Sequence, residues 1–303
     1  MEIKSVNIIL KETQEAINSD NYEEAYNIAK EHIDLNKEYI EGEYVFKNLL
    51  EELLFQVHIK KEITRKYPLI LDYSELYTIY GEILLKYQRF SEAQKSFKLG
   101  INYNPTNVRA LFGLSEIIKI HENWEEYKKI ILETFKYDYT PQNLAKSFRK
   151  LAIYYFNKYN QDKSNNSNKS NKSNSDNSEN SDNSENLKIG SYLTILSKEY
   201  DNNSKIAIEE LEHLENLIDE EFKDTNINEI NEIKDYLNTK DLPYGPAIEI
   251  ITICKSLGFQ LDESKKVVPA LHYFKIAYNL TKDENIKITI DDLNEKIERR
   301  LNE

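Results

Sequence analysis

Residues 74–107 read SELYTIYGEILLKYQRFSEAQKSFKLGINYNPTN, and the spacing of their apolar side chains predicts helices. Its first half places apolar side chains three or four residues apart, which is the spacing of one face of an α-helix. Its second half repeats that spacing through Ala93 and Phe97. Pro105 follows and cannot continue a helix. The stretch therefore predicts two packed helices, with Gly81 and Ala93 where they approach and Phe97 filling the space beside that contact.

The same stretch closely resembles the 34-residue tetratricopeptide repeat, in which large residues, small residues and a proline recur at fixed positions. With Ser74 as position 1, the matching side chains are Tyr77, Tyr80, Gly81, Leu84, Ala93, Phe97, Gly100 and Pro105. A second unit, counted from Ile251, matches through Cys254, Leu257, Gly258, Leu261, Ala270, Phe274 and Ala277. The resemblance implies a solenoid in which helical hairpins stack into a right-handed α-α superhelix.

Weaker matches at 34-residue steps extend the pattern over most of the chain. The units that start at Val6 and Val108 match fairly well. The unit that starts at Ile40 is degenerate, and the unit that starts at Gln142 shows only its first helix. Residues 204–237 form one further helical pair that departs from the consensus. We therefore expect an all-α chain of tetratricopeptide-type helical hairpins.

A low-complexity segment, residues 158–186, interrupts this pattern with a run made almost entirely of Asn, Ser, Lys, Asp and Glu. Apart from Tyr159 it has no large apolar side chain, so it cannot offset the entropy lost on folding. We interpret it as a disordered loop inserted between the two helices of the unit that starts at Gln142. The predicted organisation is N-terminal repeats over 1–157, this loop, and C-terminal repeats over 187–303 that end in a capping helix.

Composition excludes several classes of protein. The 40 Lys and Arg against 53 Asp and Glu give a net charge of −13, which disfavours binding to nucleic acid. The single cysteine excludes an intramolecular disulfide. No apolar run is long enough to span a membrane, and the first residues do not resemble a secretory signal. We expect a cytoplasmic protein without membrane insertion.

Candidate chemistry is sparse. The five histidines have no second His or Cys at metal-ligand spacing, and the pair Glu209 and His213 lacks further ligands. Seven glycines spread singly cannot form a phosphate-binding loop. Cys254 occupies a helical core position, where a small buried apolar side chain is expected rather than a nucleophile. We expect no catalytic residue, no cofactor and no metal, and therefore no enzyme.

The resemblance also implies a place where partners bind, because these repeats commonly hold extended peptides on the surface formed by the first helices of the hairpins. Positions 2, 5, 9 and 12 of each unit line that surface. The fourth and fifth units offer a possible peptide-binding groove of Arg109, Phe112, Asn143, Lys146 and Lys150. Residues 142–158 hold four Lys and Arg and no acid, which favours an acidic or C-terminal peptide; ordinary solvated cations are the alternative.

Residues 201–240 have the opposite charge, with twelve Asp and Glu against four Lys. This segment is either a surface for a basic partner or a solvated outer face. The function expected from the whole sequence is a non-catalytic scaffold or adaptor that binds other proteins or peptides. The alternative is a regulatory or accessory subunit of an enzyme complex.

Overall fold

The computed structural model describes residues 5–34, 40–169, 177–218 and 230–302. Most of these residues are helical, which confirms the expected all-α class. The fourteen α-helices of the described residues are α1 (Val6–Asn18), α2 (Tyr22–Asp34), α3 (Leu49–His58), α4 (Tyr73–Lys86), α5 (Phe90–Tyr103), α6 (Val108–Ile120), α7 (Trp124–Thr134), α8 (Pro141–Lys169), α9 (Asn177–Tyr200), α10 (Lys205–Glu215), α11 (Ile230–Thr239), α12 (Ile248–Glu263), α13 (Val267–Thr281) and α14 (Glu284–Asn302).

The chain divides into two compact units, Met1–Ile130 and Ile131–Glu303, and the division falls inside α7. In the first unit, α1 and α2 pack against each other and against α4. Two buried clusters make this contact, and each draws residues from all three helices. They are Val6, Ile9, Ala29 and Leu76, and then Ala16, Ala25, Ile79 and Ile83. The hairpin α1–α2 therefore stacks directly beside the hairpin α4–α5.

The segment between α2 and α4 differs from the degenerate helical pair expected from Ile40. Among its described residues, it forms the single helix α3, a 3-10 turn and a parallel pair of two-residue strands, β1 (Glu43–Tyr44) and β2 (Arg65–Lys66). Ile59 and Ile63, expected in a second helix, follow α3 in non-helical chain. The physical reason is that the hairpin α1–α2 already covers α4, where a further repeat would pack.

The contact expected between α4 and α5 is present. Phe97 is fully buried, and a Cβ added at Gly81 would lie 2.8 Å from its ring. The same ring approaches Gly113 of α6 more closely still. Because any side chain larger than hydrogen would overlap the ring, both glycines are required by close packing. Phe97 therefore joins three helices rather than the two expected from the sequence.

Four helical hairpins share one turn geometry. In each, the second residue after the first helix has a left-handed backbone, and these residues are Asp20, Gln88, Glu122 and Lys265, with φ of 57°, 58°, 55° and 60°. The next residue donates its backbone N–H to the carbonyl five positions back, as Asn21 does to Ala16 at 2.9 Å. This is the Schellman motif. Positions 20, 88 and 122 are 68 and 34 residues apart, which is two steps and one step of the 34-residue period.

In the second unit, α8 packs against α9, and α10 and α11 pack against this pair. A Cβ added at Gly190 of α9 would lie 2.9 Å from the ring of Phe156. The hairpin α12–α13 repeats the arrangement of α4–α5, because a Cβ at Gly258 would lie 2.6 Å from the ring of Phe274. The last helix, α14, packs against α13, where the sequence predicts a capping helix.

Helices enter the low-complexity segment from both sides, whereas a loop is expected over residues 158–186. α8 continues to Lys169 and α9 begins at Asn177. Where the two helices run together, Asn186 Nδ2 donates to Asp162 Oδ2 at 3.2 Å. Residues 170–176, the middle of the expected loop, lie outside the described residues, so the disorder of the insert stays a prediction.

Candidate binding surfaces

The five predicted groove residues are divided between the two units. Arg109 and Phe112 lie on α6 in the first unit. Asn143, Lys146 and Lys150 lie on α8 in the second unit. The two sets therefore belong to different compact units, and each has partners within its own unit.

In the first unit, carboxylates of α4 hold the Arg109 guanidinium. Arg109 Nε donates to Glu82 Oε1 at 2.7 Å, and Nη1 donates to Glu75. Lys47 Nζ also lies 2.9 Å from Glu75. Burial raises the pKa of Glu75, but Lys47 and Arg109 outweigh it and hold that pKa below its usual range. With Phe112 buried, both predicted groove residues of this unit contribute to the packing of α6, and their binding of a peptide stays a prediction.

In the second unit, the predicted cations are less exposed than a solvated helix face would be. Lys146 is half-buried, and Lys150 is only 3% exposed. Asn143 lies in the first turn of α8, where its backbone N–H donates to Thr140 Oγ1 at 3.3 Å. Because Lys150 is buried, reversing its charge would destabilise the fold, and any loss of binding would then not show that Lys150 contacts a partner.

Arg149, which the sequence places within the basic run but does not distinguish from it, is the most buried of these cations at 2% exposure. Its Nε donates to Glu210 Oε2 of α10 at 2.6 Å, while its buried Nη1 has no hydrogen-bond partner. Nearby, Lys198 of α9 lies 2.5 Å from Glu215. Two acids of the segment 201–240 thus pair with cations of the same unit instead of a separate partner.

We expect Glu210→Gln to lower the free energy of unfolding by about 2 kcal/mol, because it leaves the Arg149 charge buried without a carboxylate. Urea denaturation followed by circular dichroism measures the change. Glu209→Gln is the matched control, since Glu209 is exposed on the same helix and its change should stay within about 0.5 kcal/mol. Equal losses in the two variants would contradict a structural role for the ion pair.

A second buried ionisable group, the carboxyl of Asp138, lies between α7 and α8. Ser147 Oγ donates to Asp138 Oδ2 at 2.5 Å, and Thr134 Oγ1 lies 2.5 Å from the same hydroxyl. The other carboxylate oxygen is buried and has no hydrogen-bond partner. Burial raises the pKa of Asp138 to about 8, so the carboxyl holds a proton over most of the neutral range. The group is fully enclosed, which suits a structural role better than contact with a substrate.

The first helix of the C-terminal hairpin, α12, has an exposed face with large apolar side chains. Ile248 is 70% exposed and Phe259 is 52% exposed. The ring of Phe259 packs edge-on against that of Phe274, with centroids 5.0 Å apart. This contact with a buried ring holds Phe259 in position. Thr252 and the half-buried Lys255 lie between the two apolar residues. An exposed aromatic ring beside a cation is typical of a surface that contacts another protein.

This face is absent from the groove predicted from the sequence, although a signal for it was available. Counted from Ile251, Thr252, Lys255 and Phe259 occupy positions 2, 5 and 9, which are partner-contacting positions in the repeats that this sequence resembles. The groove predicted from the sequence lies instead in the fourth and fifth units, near the basic residues 142–158. Two of those cations, Arg149 and Lys150, are buried in the fold, which the charge pattern alone does not show.

The thiol of Cys254 is buried, and burial raises its pKa to about 12, which makes it a poor nucleophile. In the described part of the chain, no group of three or more His, Cys, Asp or Glu is arranged to hold a metal ion. None of the helices that the structure describes combines the length and apolar character needed to cross a membrane.

No protein-family model matches the chain, and no curated protein matches it. Among solved structures, it is similar to a chain from Bacteroides ovatus ATCC 8483 described as "a putative protein binding protein". The two sequences are 14% identical, and the match covers 70% of this chain and 97% of that chain with a TM-score of 0.35.

Proposed function

We propose that this chain is a non-catalytic scaffold or adaptor of the cytoplasm, built from tetratricopeptide-type hairpins, that binds partner peptides on the face formed by their first helices. Two packing features support the repeat assignment. Both α4–α5 and α12–α13 set a buried phenylalanine of the second helix against a glycine of the first. The left-handed turns at Asp20, Gln88 and Glu122 also fall on the 34-residue period.

The observation that carries the proposed function is the exposed face of α12. Ile248 and Phe259 offer apolar area to solvent, and Lys255 adds a positive charge between them. Buried aromatic anchors contribute much of the binding energy of protein interfaces, whereas scattered exposed polar residues contribute little. The partner that fits this face is an extended peptide with apolar side chains and an acidic residue opposite Lys255.

The double variant Phe259→Ser, Lys255→Glu tests this proposal. The full-length chain is used to capture partners from the cells that make it, and a captured protein is then purified and titrated against wild type and variant by calorimetry. We expect the variant to bind at least about tenfold more weakly, since it loses an aromatic contact and reverses a charge.

The matched control is Val268→Ser, Lys275→Glu on α13. Both residues are exposed, and the control removes apolar area and reverses one charge in the same way. We expect it to bind the partner as wild type does. Undiminished binding by the α12 variant, or an equal loss in both variants, would show that the face of α12 does not hold the partner.

A further inference from the structure

An open groove of about 540 Å³ lies between α1 and α2 in the first unit. Its floor includes Ala16 and Ile28, and its rim includes Glu12, Glu15 and Glu24. A second opening of about 390 Å³ shares Glu24 and Ile28 with the first and continues along α2. The first opening thus has an apolar floor edged with carboxylates, and the second lies beside it along α2.

Helical spacing explains why these side chains share a face. On α1, Ile8, Glu12 and Glu15 are four and three residues apart, so they form one stripe. On α2, Glu24 and Ile28 are four residues apart and form the facing stripe. Ile8 is about half exposed, which adds apolar area at one end of the α1 stripe.

The charge of the groove is one-sided. The two openings are lined by five glutamates, adding Glu23 and Glu31 to the three rim residues, and, among the residues that the structure describes, by no lysine, arginine or histidine. Residues 5–34 as a whole hold seven Asp and Glu against two Lys. Lys11 Nζ lies 3.8 Å from Glu15 Oε1, but both groups are exposed, and such a pair competes weakly with a ligand. The negative field repels phosphate and attracts cationic groups.

We propose that the groove between α1 and α2 is a second interaction surface, which binds an amphipathic helix of a basic partner protein. The partner inserts apolar side chains over Ala16 and Ile28. Its flanking lysines or arginines face Glu12, Glu15 and Glu24. Amphipathic helices bind in grooves through apolar anchors spaced three and four residues apart, with their polar side chains facing the rim. The groove acts independently of the face of α12.

The probe is a fluorescently labelled synthetic peptide of lysine and leucine, patterned as a helix with one apolar face. Its twin has glutamine in place of every leucine and the same number of lysines. Fluorescence anisotropy measures the binding of each peptide to the full-length chain. We expect the lysine–leucine peptide to bind and the triple variant E12Q/E15Q/E24Q to weaken that binding about tenfold. The twin should bind the wild type at least about tenfold more weakly.

The control variant is E122Q/E125Q/E126Q, which removes three exposed carboxylates near the start of α7 and alters the net charge equally. It should weaken binding less than about twofold. Circular dichroism confirms that both variants remain folded, as expected for glutamine at these positions. Equal weakening by the two variants, equal binding of the two peptides, or no binding of the lysine–leucine peptide to wild type would each overturn the proposal.

Discussion

Phe97→Ala is expected to lower the free energy of unfolding by about 4 kcal/mol, among the largest effects of a single substitution in this chain. The ring is fully buried and lies against Gly81 of α4 and Gly113 of α6. Removing it opens a cavity where three helices meet, and the rigid backbones around it can close that cavity only in part. Urea denaturation followed by circular dichroism measures the loss.

A double-mutant cycle shows whether the ring and the glycine act as one contact. Gly113→Ala alone should destabilise the chain by about 1–3 kcal/mol, because its methyl group would overlap the ring of Phe97. In the double variant, the methyl group enters the cavity left by the ring, so the loss should be smaller than the sum of the single losses. Phe259→Ala is the control, since Phe259 is half exposed and should cost far less. Additive losses would contradict the close contact.

The second large effect concerns pH. The pKa of Asp138 is about 8 in the folded chain, against 3.8 for an ordinary aspartate, because burial disfavours the charged carboxylate. Between these values, the folded state binds a proton that the unfolded state has released. The stability that this carboxyl supports is therefore fully present below about pH 4 and falls by up to about 1.4 kcal/mol per pH unit as the pH rises towards 8.

Asp138→Asn should remove this dependence, because the amide resembles the protonated carboxyl and cannot ionise. The difference in free energy of unfolding between variant and wild type, measured by urea denaturation at several pH values, should grow in favour of the variant from pH 5 to pH 8. Asp235→Asn, at an exposed position of the same unit, should keep the slope of the wild type. Parallel curves for Asp138→Asn and wild type would refute the assignment of the slope to Asp138.

Much of the helical architecture follows from local spacing. The stretch from Ser74 predicts α4, α5 and the contact of Gly81 with Phe97. The apolar stripe and the small residue can both be recognised from the spacing of residues within each helix. The prediction of a second helix in the unit that starts at Ile40 was wrong, because local spacing alone does not determine it. Apolar residues at the expected interval do not show whether a second helix forms, and its place beside α4 is taken by the hairpin α1–α2, a packing choice that a local pattern does not contain.

The binding surfaces were harder to predict because charged residues acquire partners from distant parts of the chain. Glu82 lies 27 residues from Arg109, and Glu210 lies 61 residues from Arg149. In the sequence, a basic run therefore looks free to bind a partner, although the fold buries some of its cations and pairs one of them with a carboxylate. The exposed ring of Phe259 is the reverse case. The sequence shows that Phe259 occupies position 9 of its repeat unit. Its exposure, however, depends on which helices pack against that face, and the sequence does not show this.

The turns shared by four hairpins also bear on the order in which the chain folds. Each turn is closed by a hydrogen bond that spans five residues, and Gly81 and Phe97, like Gly258 and Phe274, are sixteen residues apart. Such short separations make closure fast and lower its entropic cost, so we expect each hairpin to form early from local contacts. The segment with α3 differs, because Asn104 reaches Glu51 across 53 residues. Because this contact requires α5, we expect the segment with α3 to dock after the hairpins have formed.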